Sequence, residues 1–143
     1  MQYSTSCVWL QGGPNMIDTT PQAILRSLST ILEQGDWAAL EAHPGLYETR
    51  QHFPAMLAAF PDLRHTIELE VVAGEMIATV VTARGTHRAE FLGIPATDKQ
   101  VQFMVLSIDQ VVDGKVIKHW ALPDWMSIIA QLGATIQPAT QER

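Results

Sequence analysis

The sequence predicts an α+β fold in which N-terminal helices pack on a curved antiparallel sheet and a short helix closes the chain. Between residues 20 and 60, apolar side chains recur every three or four positions, as they do on one face of a helix. From residue 64 onward they alternate or form strand-length runs, and an Asp-Gly turn joins two of these runs. Helices followed by a series of strands indicate the α+β class.

The first helix is expected to begin at Pro21 with Thr20 as its N-cap, and to end at Gly35. Asp36 can cap a short second helix, whose Trp37 and Leu40 are expected to face inward.

A third helix is expected before Pro61. Its apolar residues recur at helical spacing, at Phe53, Met56, Leu57 and Phe60. Pro54 costs about 3 kcal/mol inside a helix, so the regular part should start near Phe53 or be kinked there.

Four strands are expected after these helices. The first starts at Arg64, and alternation places one set of side chains on a single face, namely His65, Ile67, Leu69 and Val71. The second covers residues 76–82 and continues toward Gly85, where a β-bulge is expected. A loop over residues 88–99 precedes the third strand, Val101 to Val112. The last strand runs from Lys115 to Leu122, and Pro123 closes it.

The Asp113-Gly114 turn predicts how the last two strands pair. A two-residue loop places Val112 opposite Lys115 and Ile108 opposite His119. One face then carries Met104, Leu106, Ile108, Gln110, Ile117 and His119, and the other carries Phe103, Val105, Asp109, Val116, Trp120 and Leu122. Both faces are mostly apolar, so one is expected to cover the helices or a cavity and the other to meet another subunit.

The length of 143 residues fits one domain, which we expect over residues 19–134 between a flexible tail or arm at 1–18 and a tail at 135–143. A net charge of -6 argues against nucleic acid and anionic membranes as partners. The single Cys7 cannot form an internal disulfide, and we find neither a membrane span nor a signal peptide, so a cytoplasmic location is expected.

Three segments carry a resemblance to a known family: FPDLRHTIELEVVAGE, GTHRAEFLGIPAT and DGKVIKHWALPDW. They resemble the SnoaL-like polyketide cyclases of the NTF2-like superfamily, over roughly residues 20 to 133. The resemblance implies a cone-shaped α+β barrel with an apolar pocket, assembled as a homodimer or a higher oligomer. About one strand's length is missing before Gly45, so one pocket wall is expected to be absent.

The resemblance also implies a chemistry. Family members of known function include ester cyclases that close a polyketide ring by intramolecular aldol chemistry without metal or cofactor. An aspartate at the end of the last strand acts there as acid/base and matches Asp124, while pocket histidines match His119 and His87. We therefore expect a cofactor-free cyclase or isomerase acting on a small apolar, carbonyl-containing substrate. The alternatives are a non-catalytic ligand-binding or assembly domain, or a hydroxylase-type relative.

The residues themselves leave several roles open. Asp124 lies beside apolar residues that can raise its pKa, but it can equally serve as the N-cap of the last helix. His119 shares its predicted face with Gln110 and Met104 as ligand-binding candidates, or it is hydrogen-bonded in the core.

Three further residues enter the site prediction. His87 lies at a pocket mouth or in a surface loop, and Trp120 is a further ligand-binding candidate. Asp109 is expected to form a cross-strand ion pair with Lys118. The sequence contains no H-E-x-x-H, Gly-rich phosphate loop or G-x-S-x-G, so no metal or nucleotide is expected.

Overall fold

The computed structural model describes residues 18–137. Most of the tails expected at 1–18 and 135–143 therefore lies outside the described residues. The helices are α1 (Pro21–Gln34), α2 (Tyr47–Ala59) and α3 (Trp125–Gln131), with 3-10 turns at Ala39–Ala42 and Pro44–Leu46. The strands are β1 (Arg64–Ala73), β2 (Met76–Thr86), β3 (Gln100–Val112) and β4 (Lys115–Pro123). They form one antiparallel sheet in the order β1-β2-β3-β4.

The predicted boundaries of α1 are confirmed. Thr20 Oγ1 accepts a hydrogen bond from the backbone N–H of Ala23 at 3.4 Å, and Gly35 ends the helix in the left-handed conformation. Asp36 then caps the following 3-10 turn by accepting from Ala39 N at 3.2 Å, and Leu40 on that turn is fully buried. Local capping chemistry therefore sets this part of the fold.

The prediction that the third helix starts near Phe53 is wrong. Helix α2 begins at Tyr47 and continues through Pro54 to Ala59. The proline ring fixes φ near a helical value, so the main penalty is one lost backbone hydrogen bond and a local steric conflict. Burial of Met56 and Ala59 in the core offsets this penalty.

A β-bulge between Ile67 and Leu69 changes which residues of β1 face inward. Beyond it, Leu69 and Val71 are exposed, and Glu70 is the partly buried residue, bound to Arg26 Nη2 of α1 at 3.1 Å. An extra residue reverses the alternation of side chains. The prediction of a single apolar face along β1 is therefore wrong past the bulge.

The bulge expected at Gly85 is absent, because β2 pairs continuously with β3 from Met76 to Thr86. Close packing, not a bulge, explains the glycine at position 85. A Cβ atom at position 85 would lie 3.0 Å from Phe60 Cβ, so the strand and the end of α2 approach too closely for a side chain.

The turn between β3 and β4 is confirmed, since Asp113 and Gly114 both have positive φ, 49° and 72°. Val112 faces Lys115 as predicted. The register then shifts, because Ile117 is an extra residue between the pairs formed by Val116 and Lys118. A β-bulge in β4 therefore changes every pair beyond Val116.

Because of this shift in register, two predicted residue pairs are wrong. His119 lies opposite Asp109 instead of Ile108, and Lys118 lies opposite Gln110 instead of Asp109. The predicted faces of the hairpin change as a result. His119 lies on the inner side of the sheet with Asp109, Phe103, Val105 and Val116. The outer side carries exposed apolar residues, namely Met104, Leu106, Ile108, Ile117, Trp120 and Leu122.

Candidate functional site

A cavity of about 810 Å³ lies between the helices and the inner side of the sheet. Small-molecule sites commonly have volumes of about 300–1,000 Å³. Its lining is mainly apolar and includes Leu25, Leu28, Leu32, Phe53, Met56, Phe91, Phe103, Val105 and Trp125. The arrangement suits an apolar ligand, and the polar groups in the cavity can decide which ligand binds and what happens to it.

Four polar side chains form a network along the cavity wall, and all four line the cavity. His119 Nδ1 lies 2.6 Å from Asp109 Oδ1, and the Asp109 residue is only 2% exposed. Ser107 donates to Asp109 Oδ2 at 3.1 Å, and Thr79 Oγ1 lies 2.7 Å from Ser107 Oγ. Side chains of β2, β3 and β4 are thus joined in sequence.

Hydrogen-bonding rules fix the direction of this network. Each hydroxyl has one proton, so Ser107 donates to Asp109 and accepts from Thr79. An ionised carboxylate only accepts, so His119 donates through Nδ1–H. Nε2 of a neutral His119 then carries the lone pair, and it makes no hydrogen bond with any residue in the range 18–137. The arrangement fixes the orientation of the imidazole and leaves Nε2 as a hydrogen-bond acceptor.

The register beyond the bulge at Ile117 places His119 opposite Asp109 across β3 and β4. Sequence reasoning therefore found His119 but gave it the wrong neighbours. One signal for the missing partners was available: Ser107 and Asp109 are polar residues at alternate positions in an otherwise apolar strand.

Asp124 is the N-cap of α3, the structural one of its two expected roles. One of its carboxylate oxygens accepts from the backbone N–H of Ser127 at 3.0 Å, and the residue is exposed. The cavity lining includes its neighbours Pro123 and Trp125 but not Asp124 itself. A capping bond of this kind leaves one carboxylate oxygen to solvent.

The remaining predicted site residues are not brought together. His87 is fully buried, stacks on Phe60 with ring centroids 5.3 Å apart, and is absent from the cavity lining. Its Nδ1 lies 3.0 Å from Thr97 Oγ1. Met104 and Gln110 lie on the outer side of the sheet, opposite to His119.

Trp120 also has a side chain on the outer side of the sheet, where it is 53% exposed, although the residue borders the cavity. The shared face expected for Gln110, Met104 and His119 is therefore not observed.

Within residues 18–137, no three His, Cys, Asp or Glu side chains are grouped as a metal site requires.

A second histidine–carboxylate pair lies at the β1 side of the cavity. His65 Nδ1 is 3.3 Å from Glu33 Oε1, which also accepts a 2.6 Å hydrogen bond from the His65 backbone N–H. Burial lowers the pKa of His65 below its usual value, although the Glu33 carboxylate acts in the opposite direction. His65 is therefore mainly neutral near pH 7. Sequence reasoning placed it only on the apolar face of the first strand, with no role in a site.

The helices and the four-stranded antiparallel sheet give this protein the NTF2-like α+β fold. Comparison with protein families gives a narrower assignment: the description of the SnoaL-like polyketide cyclase family matches residues 30–132, and the chain belongs to that family.

No helix within residues 18–137 has the length and apolar character needed to cross a membrane.

A curated relative is the aklanonic acid methyl ester cyclase DnrD of Streptomyces peucetius, which is 29% identical over 76 residues. The match covers 52% of this chain and 52% of that protein, so the chain spans about half the length of the curated relative it matches. Common ancestry with a cyclase is therefore supported over only part of each protein.

Several solved structures share the fold. TsrD from Streptomyces laurentii superposes with a TM-score of 0.73 at 22% identity, covering 85% of this chain and 100% of that chain. AclR from Streptomyces galilaeus gives 0.71 at 22% identity, covering 78% and 94%. IdmH from Streptomyces antibioticus gives 0.67 at 26% identity, covering 80% and 99%.

Proposed function

We propose that this protein is a cofactor-free enzyme that acts on a small, apolar, carbonyl-containing molecule, with His119 as its general acid/base. The observation that carries the proposal is the buried Asp109–His119 hydrogen bond of 2.6 Å at the wall of an apolar cavity. The family assignment and the name of the DnrD relative support ring closure of a polyketide-like ester as the reaction.

Aldol ring closure needs one group that takes a proton and later returns it. His119 Nε2 removes a proton from a carbon flanked by carbonyl groups, and the resulting carbanion attacks a second carbonyl of the same substrate. The imidazolium then gives the proton to the new alkoxide, so protons balance. Asp109 stabilises the imidazolium, and Ser107 holds Asp109 in place.

The proposal gives His119 the role that the family resemblance implied for Asp124. Asp124 is exposed and already caps α3, whereas His119 lines the cavity and is oriented by a buried carboxylate. A desolvated, oriented group is better suited to proton transfer than a hydrated one.

Exchange of His119 for Asn tests the assignment. Asn reproduces the Nδ1 donor to Asp109 but has no atom at the Nε2 position, so the cavity wall is retained while the base is lost. With aklanonic acid methyl ester as substrate, turnover followed by mass spectrometry should fall by about 10²–10⁴-fold in H119N.

Asp124→Asn is the matched control, since Asn is an equally good N-cap and turnover should be unchanged. Wild-type turnover in H119N, or loss of turnover in D124N, would contradict the proposal.

A non-catalytic ligand-binding role is the second candidate, and the exposed position of Asp124 favours it. The apolar cavity serves this function without any proton transfer. Binding of the ester by the wild-type protein without any product would favour this role over the enzymatic one.

We also propose that the protein is a homodimer that uses the outer side of the sheet. Six large apolar side chains there are 37–68% exposed, at Met104, Leu106, Ile108, Ile117, Trp120 and Leu122. Soluble monomers rarely leave so large an apolar patch in water, and a dimer interface covers about 800 Å² of each partner.

A further inference from the structure

The Glu33–His65 pair is not used by the proposed reaction, yet it reaches the same cavity. The His65 side chain is 11% exposed and the Glu33 side chain 19%. His65, Ser29 and Ile67 line both the main cavity and a smaller polar cleft of about 370 Å³ beside it. Arg26, Thr30, Glu33 and Thr66 complete the lining of this cleft.

The hydrogen bonds around His65 are incomplete. Its Nδ1 is fully buried and lacks a well-oriented partner among the described residues, although Glu33 Oε1 is 3.3 Å away. The same Oε1 atom accepts a hydrogen bond from the backbone N–H of His65 at 2.6 Å. Buried polar groups without a partner are uncommon in stable folds, so the protonation of this imidazole needs an explanation.

The neighbouring carboxylate determines which nitrogen of His65 carries the proton. A lone pair on Nδ1 would face the negative charge of Glu33, whereas an Nδ1–H is attracted to it. Neutral His65 therefore has its lone pair on Nε2. No residue between 18 and 137 donates a hydrogen bond to that atom, so His65 offers an acceptor to whatever occupies the cavity.

The position of this acceptor separates it from the proposed base. His65 lies in the cross-strand row that contains Ala83 and Phe103, whereas His119 pairs with Asp109. Phe103 and Asp109 are six positions apart on β3, which corresponds to about 20 Å along an extended strand. The cavity therefore has hydrogen-bonding groups toward two different ends.

We propose that Glu33 and His65 form a second ligand-binding subsite, which accepts a hydrogen bond from a hydroxyl group of the ligand at the β1 end of the cavity. The inference deepens the proposed function, because it specifies the substrate class as an apolar molecule with a hydroxyl group remote from the carbon that reacts at His119. Glu33 acts as a positioning residue by orienting the imidazole.

Binding of two probes, anthraquinone and 2-hydroxyanthraquinone, separates the two ends of the cavity. Either histidine can accept the single hydroxyl, so wild-type protein should bind the hydroxylated probe roughly two- to tenfold more tightly, as one hydrogen bond allows. Quenching of tryptophan fluorescence can report binding, since Trp125 lines the cavity.

Three variants then show which histidine is responsible for the tighter binding of the hydroxylated probe. In H119N it should persist through His65, and in H65F it should persist through His119. In the H65F/H119N double variant both probes should bind equally. Phe is close to His in size and fits beside Phe53, whose ring centroid is 6.0 Å from that of His65, and thermal unfolding of each variant checks the fold.

Loss of the preference in H119N alone would overturn the subsite and leave the proposed base intact. Loss in H65F alone would show that His119 does not accept the hydroxyl and would support the subsite. Absence of the preference in the wild type would overturn the subsite, whereas the proposed base is judged by the turnover of H119N. His52→Phe is the matched control, because His52 borders the same cavity but its side chain is 80% exposed. A loss of preference in H52F would also overturn the assignment to His65.

Discussion

At the scale of single residues, His43 illustrates how packing selects a protonation state. Its Nδ1 accepts a hydrogen bond from the backbone N–H of Val116 at 3.1 Å, which requires that nitrogen to be unprotonated. Burial lowers the pKa of His43, and the nearby Lys115 lowers it further. The neutral side chain thereby links the 3-10 turn before Pro44 to the start of β4.

This link predicts a pH dependence of stability. The pKa of His43 is lower in the folded than in the unfolded state, so its contribution is fully present above the unfolded pKa of about 6.5 and is lost as the pH falls below it. His65 contributes with the same sign, because its folded pKa is also lowered. The free energy of unfolding by urea should therefore decrease between pH 7.5 and 5.5.

His43→Gln should make this decrease smaller, whatever it does to the stability at pH 7.5. His52→Gln is the matched control, because it replaces an exposed histidine instead of a buried one. An identical slope in H43Q and wild type would show that His43 does not titrate differently in the two states.

At the scale of secondary-structure elements, the capping bond of Asp124 gives a separate prediction. Asp124→Ala removes the acceptor for Ser127 N, so it should lower the free energy of unfolding by about 1 kcal/mol. Asp124→Asn should restore most of that loss. Urea unfolding of both variants measures the effect, and equal stability of D124A and wild type would show that the cap contributes little.

Helices, strands and the Asp113-Gly114 turn could be predicted because their determinants are local. Thr20 caps α1 through a residue three positions away, and the turn depends on two adjacent residues with positive φ. The path of α2 through Pro54 could not be predicted in this way, because burial of side chains against the sheet decides it.

The candidate site was only partly predictable for a related reason. His119 was recognised, but its partner depends on one extra residue at position 117, and periodicity cannot reveal such a residue. A shift of one position changes the neighbour of His119 from Ile108 to Asp109 and moves Met104 and Gln110 to the other side of the sheet. Long-range pairing therefore decided the chemistry of the site.

At the scale of the whole molecule, the outer side of the sheet predicts the state of assembly. Leu106→Glu introduces a charge at the centre of the exposed apolar face, so burial against a second copy becomes unfavourable. Light scattering after size-exclusion chromatography should give a dimer for wild type and a monomer for L106E.

Ile136→Glu is the control, since Ile136 is exposed, follows α3 and belongs to no strand of the sheet, and this variant should stay dimeric. A monomeric wild type at micromolar concentration would contradict the proposed interface.

The extra residue in β4 also determines where this protein tolerates a change in chain length. Without Ile117 the strand would pair regularly, and His119 would still face Asp109. Loss of a residue just after His119 would instead turn Ala121 and Pro123 away from the cavity and displace the start of α3. A deletion at position 117 is therefore expected to preserve the site, whereas a deletion in the following positions is expected to disrupt it.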